Sequence, residues 1–190
     1  MKIIDNSFFN PLLIPHFVCY VKQLTRAFGL GDCQMIMDIG LQKKDRKVIT
    51  EALRRVLADT FILYAKTHSF HWNVTGPNFY ALHNFFKELY EDLIEGGDTL
   101  AERIRILGYW APSSFSEFSS LSAVKEETHH IYDAADMLRQ LALDNELMVR
   151  RLKEVFDIAE TNNDSVTADM ITMRMDVHSK AAWMLRSHLE

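Results

Sequence analysis

Apolar side chains recur at intervals of three and four residues along most of the chain, the spacing of one face of an α-helix. In the first such stretch the positions are Leu53, Val56, Leu57, Thr60, Phe61, Tyr64, His68 and His71. This pattern predicts a helix over residues 45–72, ended by the turn-forming segment 73–78. Asn78 is then a suitable N-cap for a second helix, which runs to about Leu107 and is stopped by Gly108.

The second half of the chain resumes the helical pattern after a connector rich in Ser and Phe. This connector, residues 113–122, is long enough to hold a short helix. A third helix is predicted over residues 123–160, and the polar residues 161–165 break it. A fourth helix is predicted from about Thr167 to the end of the chain. Four long helices with one long crossover predict an all-α four-helix bundle.

Composition narrows the class of protein. The 190 residues suffice for one domain with a buried core, and 48% hydrophobic with 25% charged residues are typical of a globular protein. We predict that residues 37–190 form the bundle domain. Residues 1–36 are predicted to be an N-terminal extension, either a mobile segment or a mis-annotated start. No apolar run reaches the roughly 18 residues that a membrane-spanning helix needs.

Cysteine positions indicate the cellular compartment, and the net charge indicates which binding partners are suitable. Cys19 and Cys33 lie in no zinc-binding spacing, so a reducing, cytoplasmic compartment is expected. The net charge of −5 argues against a protein whose whole surface binds nucleic acid, because such a surface must neutralise phosphates. The same charge suits a protein that attracts metal cations. We expect no organic cofactor.

Histidines and carboxylates occur together around the second predicted helix. Asp98 and Glu102 are four residues apart, so they share one helix face, and His71 and His83 flank the preceding turn. Imidazole and carboxylate ligands suit iron and similar divalent metals. A solvated helix face is the alternative interpretation of such an acidic pair.

The distance along the second helix separates these candidate ligands. His83 and Asp98 are fifteen residues apart, which is roughly 22 Å at 1.5 Å per residue. They cannot bind one metal ion within a single chain. If they share a metal, a second subunit must place its second helix antiparallel across a two-fold axis, which creates two identical sites per dimer.

Three stretches of the chain carry a resemblance to a known family. They are KTHSFHWNVTGPNFYALH at residues 66–83, DTLAERI at 98–104 and HSKAAWMLRS at 178–187. The chain resembles the Dps family of mini-ferritins, the DNA-binding proteins from starved cells. The resemblance extends from about Met37 to the C-terminus, which is about four fifths of the chain.

This resemblance implies a ferritin-like bundle that assembles into a hollow shell of twelve subunits. The shell is expected in the cytoplasm, either associated with the nucleoid or not. It implies a ferroxidase that oxidises Fe(II), preferentially with hydrogen peroxide, stores Fe(III) mineral and protects the cell against oxidative stress. The implied iron ligands are His71 and His83 of one subunit with Asp98 and Glu102 of its neighbour. Trp72 is expected beside the site, either intercepting stray oxidising equivalents or serving only as an interface aromatic.

Two features depart from the family pattern or strain the helix. Many members carry an acidic residue near a second iron position where this chain has Lys87. An ammonium group does not ligate iron, so that second position relies on water or is filled by Lys87 itself. Gly96 and Gly97 directly precede Asp98, and two glycines inside a helix cost about 1–2 kcal/mol relative to alanine. They either allow close approach of helices at the dimer axis or mark a tolerant position.

Other candidate residues have weaker support. Residues 126–130 contain two overlapping E-x-x-H matches, which we interpret as a solvated helix start because no second motif accompanies them. His68 is expected to be a core or interface histidine with one hydrogen bond. Acidic pores on the three-fold axes of the shell would admit iron, and Asp144 and Glu146 are the candidates.

The competing function is a nucleoid-associated, DNA-protecting shell with weak or no ferroxidase activity, favoured if Lys87 disables iron pairing. A monomeric di-iron enzyme lacks ligands within one chain. The first 34 residues are no polybasic arm, since their charges are Lys2, Lys22, Arg26, Asp5 and Asp32. We therefore predict weak or absent DNA binding at physiological salt, to be measured by gel shift; tight, salt-sensitive complexes would contradict this.

Overall fold

The computed structural model describes residues 38–128 and 133–190, and every regular element within these ranges is helical. The helices are α1 (Lys43–Asn73), α2 (Phe79–Ile106), α3 (Phe115–Leu121), α4 (Ala134–Thr161) and α5 (Ser165–Ser187). Four are long, and the short α3 lies in the connection between α2 and α4. The predicted all-α four-helix bundle with a short helix in its crossover is therefore confirmed.

The long helices pack in two pairs, α1 with α2 and α4 with α5. α1 also packs on α4, and α3 lies on α1. The largest fully buried side chains are Phe70, Phe86, Ile49, Leu53, Leu57, Leu63, Leu100, Ile104, Leu107, Met137, Leu141 and Met148. Burying each such side chain contributes about 1.5–3 kcal/mol. α2 and α5 touch little, which leaves an open seam between them. None of the helices in the described ranges is apolar over a long enough stretch to cross a membrane.

The start of α4 differs from the prediction. The apolar pattern predicted a helix from Ala123, whereas α4 begins at Ala134, with Asp133 as its N-cap. Asp59 of α1 opposes a helix start at Ala123, because it is fully buried and accepts hydrogen bonds from the Ala123 amide at 2.6 Å and the Ser122 hydroxyl at 2.9 Å. Arg151 of α4 balances the charge of Asp59 at 3.2 Å. This buried carboxylate holds the segment after α3 in a non-helical conformation.

A second buried carboxylate joins the end of α2 to the start of α5. Asp164 caps α5 by accepting a hydrogen bond from the Thr167 amide at 3.0 Å, and it pairs with Arg103 of α2 at 2.6 Å. Burial raises the pKa of Asp164, but the hydrogen bonds from Arg103 and Thr167 outweigh it and lower that pKa overall. Asn78 does occupy the predicted N-cap position of α2, although its side chain makes no capping hydrogen bond.

The two glycines of α2 face the interior of their own chain. A Cβ atom at Gly96 would lie 2.6 Å from Cζ of Arg174, whose guanidinium crosses this point to pair with both carboxylate oxygens of Asp92. A Cβ atom at Gly97 would meet Phe61 at 3.5 Å, which is ordinary van der Waals contact. Gly96 thus makes room for an α2–α5 ion pair, a role outside the two interpretations drawn from the sequence.

We predict that Gly97→Ala raises the free energy of unfolding by about 0.5–1 kcal/mol, because alanine favours a helix and its methyl group fits. Gly96→Ala is the matched control, since the same gain is offset by displacement of Arg174 from Asp92. Thermal unfolding of both variants measures the difference. Equal stabilisation by the two substitutions would contradict the role assigned to Gly96.

Candidate metal site

His71 and His83 lie against each other where α1 ends and α2 begins. Their imidazole rings stack with centroids 3.8 Å apart and planes inclined by 23°. The turn between the helices makes this approach possible. Gly76 adopts φ +108°, a conformation that L side chains rarely take, and its carbonyl accepts a hydrogen bond from the Phe79 amide at 3.0 Å. Val74 is buried and its amide closes the last turn of α1 on Phe70.

Each of the two histidines binds the backbone of the other. Nδ1 of His71 lies 2.6 Å from the carbonyl oxygen of His83, and Nδ1 of His83 lies 2.8 Å from the carbonyl oxygen of His71. A carbonyl oxygen only accepts hydrogen bonds, so Nδ1 of each ring must carry the proton. Nε2 of each neutral ring is then left with a free lone pair. Metal-binding histidines are typically held in this way, with one nitrogen fixed by an acceptor and the other free to ligate.

The carboxylates of the predicted site lie elsewhere on the chain. Asp98 and Glu102 are exposed on α2, and in the described part of the chain no ion pair or side-chain hydrogen bond engages either carboxylate. His83 and Asp98 belong to the same continuous helix, which keeps them roughly 22 Å apart. No three His, Cys, Asp or Glu side chains among the described residues come together as a metal site. The structure therefore brings the two histidines together and leaves the two acids apart from them.

An aromatic cluster adjoins the histidine pair. The ring of His68 contacts Trp72 and Tyr90 at tilted angles of 42° and 32°, with ring centroids 4.1 and 4.2 Å away, and Tyr90 meets His71 edge-on at 5.2 Å. The Tyr64 hydroxyl lies 3.0 Å from Nδ1 of His68. Burial and the neighbouring His71 lower the pKa of His68. The single hydrogen bond predicted for His68 is confirmed.

Tyr90 was missed in the sequence, although a signal existed. It follows His83 by seven residues, which is about two helical turns and therefore the same face of α2. Trp72 is 65% exposed in the isolated chain, so its surface is available to a neighbouring subunit. Lys87 lies one turn after His83, is exposed, and approaches Glu91 at 3.6 Å. An exposed pair at this distance contributes little to stability.

The two candidate pore residues, Asp144 and Glu146, form ion pairs within their own chain. Asp144 is bound to the buried Lys66 at 2.6 Å, yet burial raises its pKa despite this pair. Glu146 is bound to Arg186, and that hydrogen bond lowers the pKa of Glu146. Their role in a pore stays a prediction.

The E-x-x-H matches prove not to start a helix. Glu126 and Glu127 are in non-helical backbone before α4, and the two histidines of the motif lie outside the described residues. The interpretation of this segment as a solvated helix start is therefore wrong as to the helix.

Comparisons with known proteins agree with this architecture. The family model of the ferritin-like domain matches residues 50–190. The chain is 35% identical to the DNA protection during starvation protein of Helicobacter pylori, over 73% of this chain and 96% of that one. A Dps protein from Bacillus brevis superposes with a TM-score of 0.76 at 35% identity, covering 79% of this chain and 100% of that one.

A Dps protein from Vibrio cholerae O1 superposes with a TM-score of 0.79 at 28% identity, covering 84% of this chain and all of that one. Its structure is described as a member of a broad superfamily of ferritin-like diiron-carboxylate proteins. The chain belongs to the ferritin-like family and, within it, to the Dps proteins.

Proposed function

We propose that this protein is a ferroxidase and iron-storage shell of twelve subunits in the cytoplasm. It oxidises Fe(II), preferentially with hydrogen peroxide, and sequesters the Fe(III) product as mineral. The observation that carries this proposal is the reciprocal hydrogen bonding of His71 and His83, which leaves Nε2 of each of the two stacked rings able to ligate a metal ion. Family membership supports iron as the metal that these nitrogens bind.

The remaining ligands are proposed to come from a second subunit. The acids Asp98 and Glu102 sit free on the exposed face of α2, too far along that helix to reach His83 of their own chain. Antiparallel pairing of two α2 helices across a two-fold axis would set the acids of each chain beside the histidines of the other. An isologous contact of this kind makes two equivalent sites per dimer.

This ligand set suits Fe(II) as the substrate. Two imidazoles bind Fe(II), and two carboxylates favour the more highly charged Fe(III) product. Two Fe(II) ions with one hydrogen peroxide and two protons yield two Fe(III) ions and two water molecules, so paired oxidation releases no hydroxyl radical. Zinc or manganese would compete for the same donors.

Trp72 is proposed to stand beside the completed site. Its indole ring contacts His68 at a tilted angle, and His68 in turn neighbours the His71 ring. In that position Trp72 would either donate an electron to a stray oxidant or pack only as an interface aromatic. Asp144 and Glu146 remain the proposed lining of the iron-entry pores, with their pairing to Lys66 and Arg186 reducing the negative charge that they offer.

Co-expression of two inactive variants tests the shared site. His83→Ala and Asp98→Ala assemblies should each lose peroxide-dependent Fe(II) oxidation, because each removes a ligand from every site. In randomly mixed shells half of the dimers contain both variants, and each mixed dimer has one of its two sites intact. We therefore expect about a quarter of the wild-type rate per subunit. Optical measurement of Fe(III) formation under anaerobic conditions gives the rate.

Glu95→Ala is the matched control, because it removes another exposed carboxylate of α2 and should leave the rate unchanged. Mixed shells without recovered activity would exclude a site shared in this way. A fully active Asp98→Ala assembly would instead show that Asp98 is no ligand.

Lys87 should limit each site to one tightly held metal ion. Lys87 lies one helical turn after His83, and its ammonium group, which is 3.6 Å from Glu91, would repel a second cation at this part of the helix. We expect Lys87→Asp to raise tightly bound Co(II) from about one to about two ions per subunit, measured by anaerobic titration. Lys44→Asp, an equal charge change at an exposed position in α1, should leave the stoichiometry unchanged. Two tightly held ions in the wild-type protein would contradict this role.

DNA protection is the second candidate function, favoured by the name of the Helicobacter pylori relative. The net charge of −5 opposes tight, phosphate-driven binding, so the weak association predicted from the sequence remains our expectation.

A further inference from the structure

A cavity of about 380 Å³ opens at the seam between α2 and α5. Its apolar walls are Phe85, Leu89, Leu93, Val177, Ala181 and Met184. This volume lies at the lower end of the range of small-molecule pockets. The cavity is separate from the histidine pair, since neither His71 nor His83 lines it.

One buried histidine supplies a polar atom to this cavity. His178 of α5 is only 2% exposed, and its Nδ1 lies 2.8 Å from Oδ1 of Asn145. The amide nitrogen of Asn145 already donates to the carbonyl oxygen of Leu141, so Oδ1 of Asn145 is the acceptor and His178 donates from Nδ1. Nε2 of the neutral ring therefore carries the lone pair.

Nε2 of His178 opens onto the cavity. Among the described residues, two side-chain atoms are sealed from solvent and make no hydrogen bond. They are Nε of Arg46 and Oγ1 of Thr50. No side chain or backbone group of a described residue hydrogen-bonds to Nε2 of His178, this atom is not among those sealed ones, and the residue lines the cavity. Its lone pair is thus an acceptor that awaits a donor from a molecule inside.

The charged residues around the cavity leave the His178 ring neutral. Burial, with a further contribution from the Arg174 charge, lowers the pKa of His178 to about 3, while Asp92 opposes the shift. Arg174 and Asp92 neutralise each other in a two-pronged ion pair that bridges α2 and α5. The other charged lining residues, Glu88, Asp176 and Lys180, are exposed and lie in solvent at the rim.

We propose that this cavity binds a compact neutral molecule with an apolar, ring-sized body and one hydroxyl group, such as a phenol. The hydroxyl donates to Nε2 of His178, and the ring packs between the apolar side chains of α2 and α5. An anion is disfavoured, because Nε2 has no proton to donate and burying an unpaired charge is costly. A metal ion is disfavoured as well, since among the described side chains no three potential ligands converge.

Methyl resonances of methionine in the assembled protein test this proposal without iron. Phenol should shift the methyl signal of Met184, which lines the cavity, and leave that of Met173, which is 65% exposed on the same helix, unchanged. Toluene has the same shape but no donor. We expect phenol to bind about two- to tenfold more tightly than toluene, the gain from one neutral hydrogen bond.

Two variants locate the interaction. His178→Leu should abolish the preference for phenol over toluene, and Ala181→Leu should fill the cavity and eliminate binding of both ligands. The comparison of phenol with toluene uses the wild-type protein, so it remains informative even if a variant fails to fold. Equal affinity for the two ligands, or a Met184 signal that phenol leaves unmoved, would overturn the proposal.

Discussion

The continuous helix α2 carries His83 near its start and Asp98 and Glu102 in its second half, and its rise keeps these groups roughly 22 Å apart. No rotamer or loop movement shortens that distance, because the backbone hydrogen bonds of the helix set it. Any site that uses both sets of ligands must therefore include a second chain. If the proposed iron site uses both sets of ligands, this geometric constraint couples chemistry to assembly, and an isolated subunit would hold only part of the site.

Three histidines illustrate how one hydrogen-bonding pattern serves different environments. His71, His83 and His178 each place Nδ1 against an oxygen acceptor, which leaves Nε2 with the lone pair. At the α1–α2 turn two such rings stack on each other, an arrangement suited to a cation with further ligands from outside. At the α2–α5 seam a single lone pair faces an apolar cavity, where a neutral donor fits better than a charge.

Buried carboxylates organise the remainder of the bundle. Asp59 fixes the segment that follows α3, and Asp164 joins the end of α2 to the start of α5. Each is neutralised by an arginine and has several hydrogen-bond donors, the condition under which a buried charge is tolerated. Asp59 thereby joins α1 to α4 and to the segment after α3, and Asp164 joins α2 to α5.

Sequence patterns alone predict the helical class, the approximate spans of α1, α2 and α5 and the separation of the candidate ligands. Periodicity and helical rise are local properties, readable without knowledge of packing. Only tertiary contacts explain why no helix starts at Ala123, where Asp59 from a different helix binds the backbone. Tertiary structure also decided that Gly96 accommodates Arg174 and that His178 faces a cavity. These features depend on which side chains of distant segments meet, and spacing along one helix carries no information about that.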